Sequence, residues 1–304
     1  MEQEAQVGSA ARVRVLRLGG GAVGERADAV VVEEPLQVHL RRGGTTWLLG
    51  STMRTPGHDL ELAVGLAVAE GVVTKRTDVR TVRHCVGNAG MAMPNEVTVE
   101  LADHVAVDQG RMGRVQTPSS ACGLCGRDQI EGLVSRLPNV NEDVRIDPDV
   151  LAGLPPRMLL RQSVFQRTGG LHAAALADTD GELLFVREDV GRHNAVDKVV
   201  GQALLADVHA HVLVVSGRAG FEIVQKAAMA GIAIVASVSA PTSLSVEAAR
   251  AAGLTLAAFV REGRMTVYCG AQRLIDEPPG HEPSSSPSST GQQSSHATSR
   301  AAAL

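Results

Sequence analysis

The strongest structural signal in the chain is the run Val212-Leu-Val-Val-Ser-Gly-Arg-Ala-Gly-Phe-Glu-Ile-Val-Gln-Lys-Ala-Ala-Met-Ala-Gly-Ile-Ala-Ile-Val-Ala-Ser-Val238. Its apolar beginning, Val212 to Val215, predicts a buried strand, and the residues from Phe221 to Ala230 predict a helix. Gly231 ends that helix, and a second apolar strand is predicted from Ile232 to Val238. A buried strand, a helix and another buried strand in this order are typical of a parallel α/β sheet.

The same alternation continues on both sides of this run. A hairpin is predicted to pair His172–Ala177 with Glu182–Val186. Before it, a helix is predicted to open at Pro155-Pro156 and to extend through about Arg167, because proline is favoured in the first helical turn. The remaining helices and strands are predicted at Arg192–Leu205, Ser243–Ala252, Leu254–Val260 and Met265–Tyr268. We therefore expect a largely parallel sheet flanked by helices.

The N-terminal part of the chain has short strands around one helix. Four strands are predicted at Val13–Leu18, Ala29–Glu33, Leu36–Arg41 and Thr45–Leu49. A hairpin turn at Arg42-Gly-Gly44 joins the last two. Asp59 to Glu70 has the apolar spacing of a helix that Gly71 ends, and Glu96 to Leu101 alternates like a half-buried strand. This part is predicted to be α+β.

Changes in composition divide the chain into five segments. Residues 1–11 are predicted to be disordered, 12–116 to form an N-terminal α+β lobe, and 148–274 to form an α/β domain. Residues 117–147 are polar and glycine-rich, and we expect a mobile loop with one short helix. The tail, 275–304, is rich in Pro, Ser, Thr and Gln and is predicted to be disordered. The fold class predicted is thus α/β, or α+β overall.

Composition and charge exclude several functional classes. The chain has 304 residues, with 29 Lys and Arg against 33 Asp and Glu, and this net charge of −4 disfavours a general nucleic-acid binder. Only 2% of the residues are aromatic, so base-stacking platforms are also disfavoured. The apolar stretch Ala227–Ala240 is too short to span a bilayer, and Met1–Val15 lacks the apolar run of a signal peptide. We therefore expect a cytoplasmic protein without a membrane partner.

The clearest chemical signal is Ser119-Ser-Ala-Cys-Gly-Leu-Cys-Gly-Arg127. Two cysteines separated by two residues can form a disulfide, bind a metal or pass a sulfur atom between them. A helix that begins near Asp128, together with Arg127, would favour the thiolate of Cys125. The flanking glycines leave the backbone free to present either sulfur.

Two alternatives for this cysteine pair stay open on the residues alone. A structural zinc site needs four ligands, and the other two cysteines, Cys85 and Cys269, are isolated in sequence. Thiol–disulfide exchange of the thioredoxin type would need the pair between a strand and a helix, whereas a polar segment precedes it here. The deaminase zinc signature is absent, because no His-x-Glu precedes the pair.

Three polar segments are candidates for anion binding. Val215-Ser-Gly-Arg-Ala-Gly-Phe221 follows a predicted strand and enters a helix, where backbone N–H groups and Arg218 could hold a phosphate. Phe259-Val-Arg-Glu-Gly-Arg264 places two arginines around a turn, which suits a diphosphate. Arg187-Glu-Asp-Val-Gly-Arg-His-Asn194 is a dense polar loop that faces a substrate or is a capped surface turn with a structural His193. An ordinary tight loop explains the first of these equally well, and an exposed hairpin tip is the simpler explanation of the second.

Taken together, these segments resemble the formate dehydrogenase accessory sulfurtransferases of the FdhD/NarQ family. The resemblance covers about residues 12 to 270 and includes the cysteine pair, Ser216-Gly-Arg-Ala-Gly-Phe-Glu222 and the dense polar loop already quoted. The other matching segments are Met53-Arg-Thr-Pro-Gly57, Glu70-Gly71, Thr168-Gly-Gly-Leu-His-Ala-Ala174, the continuation of the dense polar loop through Lys198, and Ser239-Ala-Pro-Thr-Ser-Leu244. So many ordered matches make chance similarity an inadequate explanation.

The resemblance implies a sulfur carrier that formate dehydrogenase requires for activity. A cysteine desulfurase would supply the sulfur, Cys122 would hold it as a persulfide, and Cys125 would assist. The acceptor would be the molybdenum or tungsten bis-guanine-dinucleotide cofactor, bound as a substrate before its insertion into the dehydrogenase. The resemblance implies no permanent cofactor or metal, a homodimer, and a C-terminal domain of the three-layer cytidine-deaminase-like α/β type. The cofactor-binding residues implied are Phe259, Val260, Arg261, Glu262, Gly263 and Arg264.

Overall fold

The computed structural model describes residues 8–19, 22–87, 90–107, 132, 134–140, 143–261 and 263–274. Its strands are β1 (Ala10–Gly19), β2 (Ala22–Val31), β3 (Glu34–Arg42), β4 (Thr45–Arg54), β5 (Val79–Val86), β6 (Ala92–Leu101), β7 (His172–Ala177), β8 (Leu183–Asp189), β9 (Val212–Val215), β10 (Ile234–Ser237), β11 (Thr255–Arg261) and β12 (Arg264–Cys269). Its α-helices are α1 (Asp59–Ala69), α2 (Pro148–Leu160), α3 (Ser163–Thr168), α4 (Arg192–Ala206), α5 (Phe221–Met229) and α6 (Ser243–Ala251). The predicted fold class, α/β with α+β organisation overall, is confirmed.

The larger sheet has six strands in the order β12-β11-β10-β9-β7-β8. Its central strands β9, β10 and β11 are parallel, and most of their residues have buried apolar side chains. The other three neighbouring pairs are antiparallel. The expectation of a largely parallel sheet is therefore wrong. The hairpins β7–β8 and β11–β12 are antiparallel because short turns join antiparallel strands only, and β7 is also antiparallel to its other neighbour, β9.

The smaller sheet has four strands in the order β4-β3-β6-β5. The predicted turn between β3 and β4 is confirmed, since Gly43 and Gly44 have φ angles of 56° and 88°. Positive φ at both central residues is typical of the tight turns that match the twist of a hairpin. Strands β1 and β2 form a separate two-stranded ribbon.

The smaller sheet is joined to the larger one through a close helix crossing. Helix α1 packs on α4, and a Cβ atom on Gly65 would overlap the carbonyl of Asp197. On the other side of the crossing, a Cβ on Gly201 would overlap the carbonyl of Glu61. The two glycines therefore let the two helix backbones touch, and one continuous set of buried apolar side chains runs through both sheets.

The helix predicted to open at Pro155-Pro156 begins seven residues earlier, so that prediction is wrong. Asp147 is the N-cap of α2, and its side chain accepts hydrogen bonds from the N–H groups of Asp149 and Val150. Pro148 is in the first turn, where the backbone N–H that proline lacks would have no partner within the helix. This segment has two possible helix starts, one at Pro148 and one at Pro155-Pro156. The helix begins at the first, because Asp147 caps it.

Several predicted segments lie outside the described residues. These are most of the loop 117–147, residues 1–7 of the predicted disordered start and the predicted disordered tail, 275–304. The division into five segments stays a prediction. Among the helices that the structure describes, none combines the length and apolarity needed to cross a bilayer.

Candidate functional site

A cleft of about 640 Å³ lies at the edge of the larger sheet where the parallel strands end. Ser216, Val238 and Arg261, which line it, stand at or just beyond the ends of β9, β10 and β11. His172, at the start of the antiparallel strand β7, lines the same edge. Ligands of open α/β sheets bind outside the carboxyl ends of the strands, so the topology itself favours this cleft as the site.

The loop after β9, predicted as a phosphate loop, is fixed by side-chain hydrogen bonds at this edge. Ser216 Oγ accepts from the backbone N–H of Ala173 at 2.9 Å, and Ser237 Oγ donates to the carbonyl of Gly217 at 2.7 Å. The following helix, α5, has Gly220 as its N-cap and no side-chain cap. Arg218 is exposed and does not line the cleft, so its predicted phosphate contact stays a prediction.

Gly217 makes room for two polar side chains beside the cleft. A Cβ atom at this position would lie 3.2 Å from His172 Nδ1 and 3.5 Å from Arg192 Cδ. The buried Nε of Arg192 has no hydrogen-bond partner in the described part of the chain. Burial, and then the positive charge of Arg192, lower the pKa of His172. Sequence reasoning did not predict that Arg192 lies beside the cleft, although this residue is in the quoted polar loop.

His193 pairs with a carboxylate and does not line the cleft. Its Nε2 lies 3.0 Å from Glu222 Oε2, so the side chain joins the first turns of α4 and α5. The hydrogen bond from His193 lowers the pKa of Glu222. This pair supports the interpretation of His193 as a structural residue.

The segment predicted to bind the cofactor is only partly in the cleft. Val260 and Arg261 line it, and an irregularity in the β11–β12 register lies between Ala258 and Arg261. Phe259, within this bulge, has a φ of 54°, which is rare for a residue other than glycine. The bulge explains how two adjacent residues face one cleft, since neighbours on a regular strand point to opposite faces.

The rest of the predicted segment forms the tip of the β11–β12 hairpin. Arg261 and Arg264 are opposite one another in the strand register, and Gly263, with a φ of 71°, completes the turn. Phe259 is 40% exposed. Glu262 lies outside the described residues. The two arginines are therefore neighbours, as a diphosphate site would require, but of the pair only Arg261 is a lining residue.

One wall of the cleft is apolar. It is built by Pro155, Pro156 and Met158 of α2 and by Phe165 of α3. A cleft lined by an apolar wall and by the cationic side chain of Arg261 is suited to a flat ring system carrying an anionic group. The sequence did not predict that residues of α2 and α3 line the site, because nothing in their order shows that they approach the strand ends.

Two of the quoted motifs meet in a buried polar network next to the cleft. Asp189, at the end of β8, accepts hydrogen bonds from Thr55 N at 3.2 Å and Asn194 Nδ2 at 3.0 Å. Arg54 forms a bidentate ion pair with Asp59, in which Nε donates to Oδ1 at 3.0 Å and Nη2 donates to Oδ2 at 2.9 Å. The motif at Met53–Gly57 and the loop from Arg187 onward thus hold each other in place.

Cys122 and Cys125 lie outside the described residues, so the structure does not test their predicted roles. The two described cysteines are in other places. Cys85 contacts Thr98 Oγ1 at 3.2 Å on the smaller sheet, and burial raises the pKa of Cys269 on β12. Among the residues the structure describes, no three His, Cys, Asp or Glu side chains are grouped as metal ligands. The zinc and sulfur alternatives for the cysteine pair therefore stay open on geometry alone.

Comparison with known proteins gives concordant results. The model of the FdhD/NarQ family matches residues 31–275. A protein of Streptomyces coelicolor named sulfur carrier protein FdhD is 47% identical over 271 residues, which cover 86% of this chain and 95% of that protein. The protein of the same name from Anaeromyxobacter dehalogenans is 47% identical over 282 residues, covering 89% of this chain and 95% of that protein.

A solved structure with the same fold supports this comparison. The crystal structure of a protein described as a formate dehydrogenase accessory protein from Desulfotalea psychrophila superposes with a TM-score of 0.68. It is 23% identical in sequence, and the match covers 88% of this chain and all of that one. At this identity the likeness establishes the architecture only.

Proposed function

This chain belongs to the FdhD/NarQ family, and from that premise we propose that it is a sulfur carrier serving formate dehydrogenase. The observation that carries the proposal is the identity of 47% to a sulfur carrier protein over 95% of that protein's length. The quoted motifs, including the C-x-x-C pair, agree with this similarity. The proposed carrier acts as a homodimer in the cytoplasm, where a reducing environment protects a persulfide from oxidation.

The first chemical step is capture of sulfur by Cys122. Its thiolate attacks the outer sulfur of a persulfide on a cysteine desulfurase. A new sulfur–sulfur bond forms at Cys122, the old one breaks, and the desulfurase cysteine leaves as a thiolate. No net oxidation occurs, because the zero-valent sulfur atom only changes its carrier.

The second step releases sulfur to the substrate, the molybdenum or tungsten bis-guanine-dinucleotide cofactor. The Cys125 thiolate attacks Cys122 Sγ, and the outer sulfur departs as sulfide and becomes a metal ligand. The two cysteines are oxidised to a disulfide while the transferred sulfur is reduced by two electrons. A cellular dithiol reductant then restores both thiols, and the protein enters another cycle.

The cleft at the strand ends is the proposed binding site of that substrate. Arg261 lines it, and Arg264 and Arg192 stand near it, so that guanidinium groups can bind the diphosphates of the dinucleotide. The apolar wall of α2 and α3 accommodates a flat bicyclic ring. The buried network around Asp189 keeps the loop with Arg192 in position.

Persulfide labelling tests the sulfur-carrier proposal. The full chain is incubated with a desulfurase and cysteine, and the loop peptide is analysed by mass spectrometry for a gain of about 32 Da, one sulfur atom. Cys122→Ala should abolish the adduct, and Cys269→Ala, at a cysteine away from the cleft, should leave it unchanged. An unmodified loop in the wild-type protein would reject the proposal.

Two further outcomes would favour the other chemistries of the cysteine pair. One tightly held zinc per chain, with no sulfur adduct, would indicate a zinc-binding chaperone for the cofactor. Reduction of a generic disulfide at a useful rate without any desulfurase would indicate a thiol–disulfide oxidoreductase.

A further inference from the structure

Gln162 is a buried polar residue whose side-chain amide is left unbonded by the described part of the chain. It lies between α2 and α3, is 3% exposed and lines the cleft. Its backbone is engaged, since its N–H donates to the carbonyl of Leu159 at 3.2 Å and its own carbonyl accepts from Gln166 N at 3.0 Å. Its side-chain amide, in contrast, makes no hydrogen bond with any described residue.

An unpaired amide in such a position is unusual. Buried polar side chains nearly always have a hydrogen-bond partner, because leaving one unsatisfied is costly. Neither atom of this amide is completely shielded from solvent. Gln162 lines the cleft, so the cleft is the cavity from which the amide is accessible. The amide is thus available to a ligand in the cleft.

The neighbours of Gln162 define the shape of that ligand. Phe165 and Met158, on either side of it in the sequence, line the same cleft, as does Pro155. These side chains offer apolar surface to the faces of a flat ring. A planar amide with one donor and one acceptor side by side is complementary to a ring edge that has one acceptor and one donor side by side.

We propose that Gln162 recognises the 2-amino-4-oxopyrimidine edge of the ligand in this cleft. In this arrangement Nε2–H donates to the ring carbonyl oxygen, and Oε1 accepts from the adjacent ring N–H. Guanine and the pterin ring both present this edge. The assignment rests on the proposed function, since a guanine dinucleotide of a pterin cofactor carries both rings, and it adds the residue that binds the ring.

Calorimetric titration of the full chain with GDP and, separately, with pterin tests the assignment. Gln162→Leu should weaken binding by about tenfold or more, because it removes both hydrogen bonds and retains the apolar volume. Gln162→Glu should stay within about threefold of the wild type, since a protonated carboxyl repeats the donor and acceptor and a carboxylate accepts from the ring N–H groups.

Gln166→Leu is the matched control. Gln166 is on α3 and is exposed, and its side-chain amide donates to the carbonyls of Leu159 and Leu160, so the loss of this amide should not change ligand affinity. The Tm of Gln162→Leu should be unchanged or raised, because the leucine breaks no hydrogen bond within the protein. A lowered Tm with unchanged affinity would indicate a structural role and overturn the assignment.

The outcomes separate the sources of the ring and the two proposals. Loss of GDP binding alone identifies guanine as the ring at Gln162, and loss of pterin binding alone identifies the pterin. Wild-type affinity of Gln162→Leu for both ligands rejects the role of Gln162 and leaves the cleft as the substrate site. Failure of the wild-type protein to bind either ligand rejects the cleft and Gln162 together, while persulfide labelling still decides the sulfur-carrier function.

Discussion

The Nζ atom of Lys198 lies 2.7 Å from Oδ2 of Asp189, and the two side chains are 1% and 0% exposed. The same ammonium donates to the carbonyls of Thr55 at 2.9 Å and Glu188 at 3.3 Å. The pair therefore joins α4 and the end of β8 to the segment that follows β4. Residues that carry much of the family resemblance thus form a buried ion pair next to the cleft.

Removing one partner of this ion pair should destabilise the protein strongly. Lys198→Met leaves the Asp189 carboxylate buried without its cation, and we expect a loss of about 3–5 kcal/mol in the free energy of unfolding. Urea unfolding measures the change. Arg80→Gln, which removes an exposed pair with Asp103, should change it by less than about 1 kcal/mol. Equal effects of the two substitutions would contradict the prediction.

A methyl group at the helix crossing should also destabilise the fold. Gly65→Ala forces α1 away from the Asp197 carbonyl of α4, and we expect a cost of about 3 kcal/mol. Gly153→Ala is the control, because Gly153 lies in α2 with nothing within 4 Å of the added Cβ. That change should stabilise the protein by about 0.5–1 kcal/mol, since alanine is the better helix former. A neutral Gly65→Ala variant would show that the crossing is not close.

Glu61 should make the stability of the protein depend on acid pH. Partial burial opposes its ionisation, yet hydrogen bonds from His58 at 2.7 Å and Arg187 at 2.9 Å lower its pKa from 4.5 to about 2. The carboxylate therefore contributes stability that is complete above pH 4.5 and is lost as the pH falls through about 2.

Substitution of Glu61 checks this pH dependence. Glu61→Gln should cost about 1–3 kcal/mol in the free energy of unfolding near neutral pH. The difference from the wild type should shrink below pH 4.5 and approach zero only below about pH 2. Glu182→Gln, at an exposed carboxylate that also pairs with arginines, should have little effect at any pH. A difference that did not vary with pH would rule out the ion pairs as its cause.

The arginines at the β11–β12 hairpin should contribute to nucleotide affinity. Arg261→Gln and Arg264→Gln each remove a cation near the proposed diphosphate site, and we expect GDP binding to weaken about tenfold or more. Arg80→Gln, on β5 of the smaller sheet, is the charge-matched control with unchanged affinity. Calorimetry at two salt concentrations should also show a weaker salt dependence in the hairpin variants.

The local elements of the larger sheet follow from the sequence because their signals are local. Apolar runs such as Val212–Val215, and the Gly231 and Gly253 ends of the helices, act within a few residues and appear where they are predicted. The start of α2 was missed because two proline signals compete over eight residues. The strand directions were misjudged because the period of apolar residues does not encode the direction of the neighbouring strand.

The site divides in the same way. Sequence alone identified the cysteine pair and the arginines around Gly263, since chemically special residue types in a short motif are visible without a fold. Only the tertiary structure brought Gln162, His172 and Arg192 to one edge of the sheet, because they are separated along the chain and meet through strand order and helix packing. It also assigned Asp189 and Lys198 to a buried ion pair, since burial depends on what covers a side chain and a list of residues does not record it.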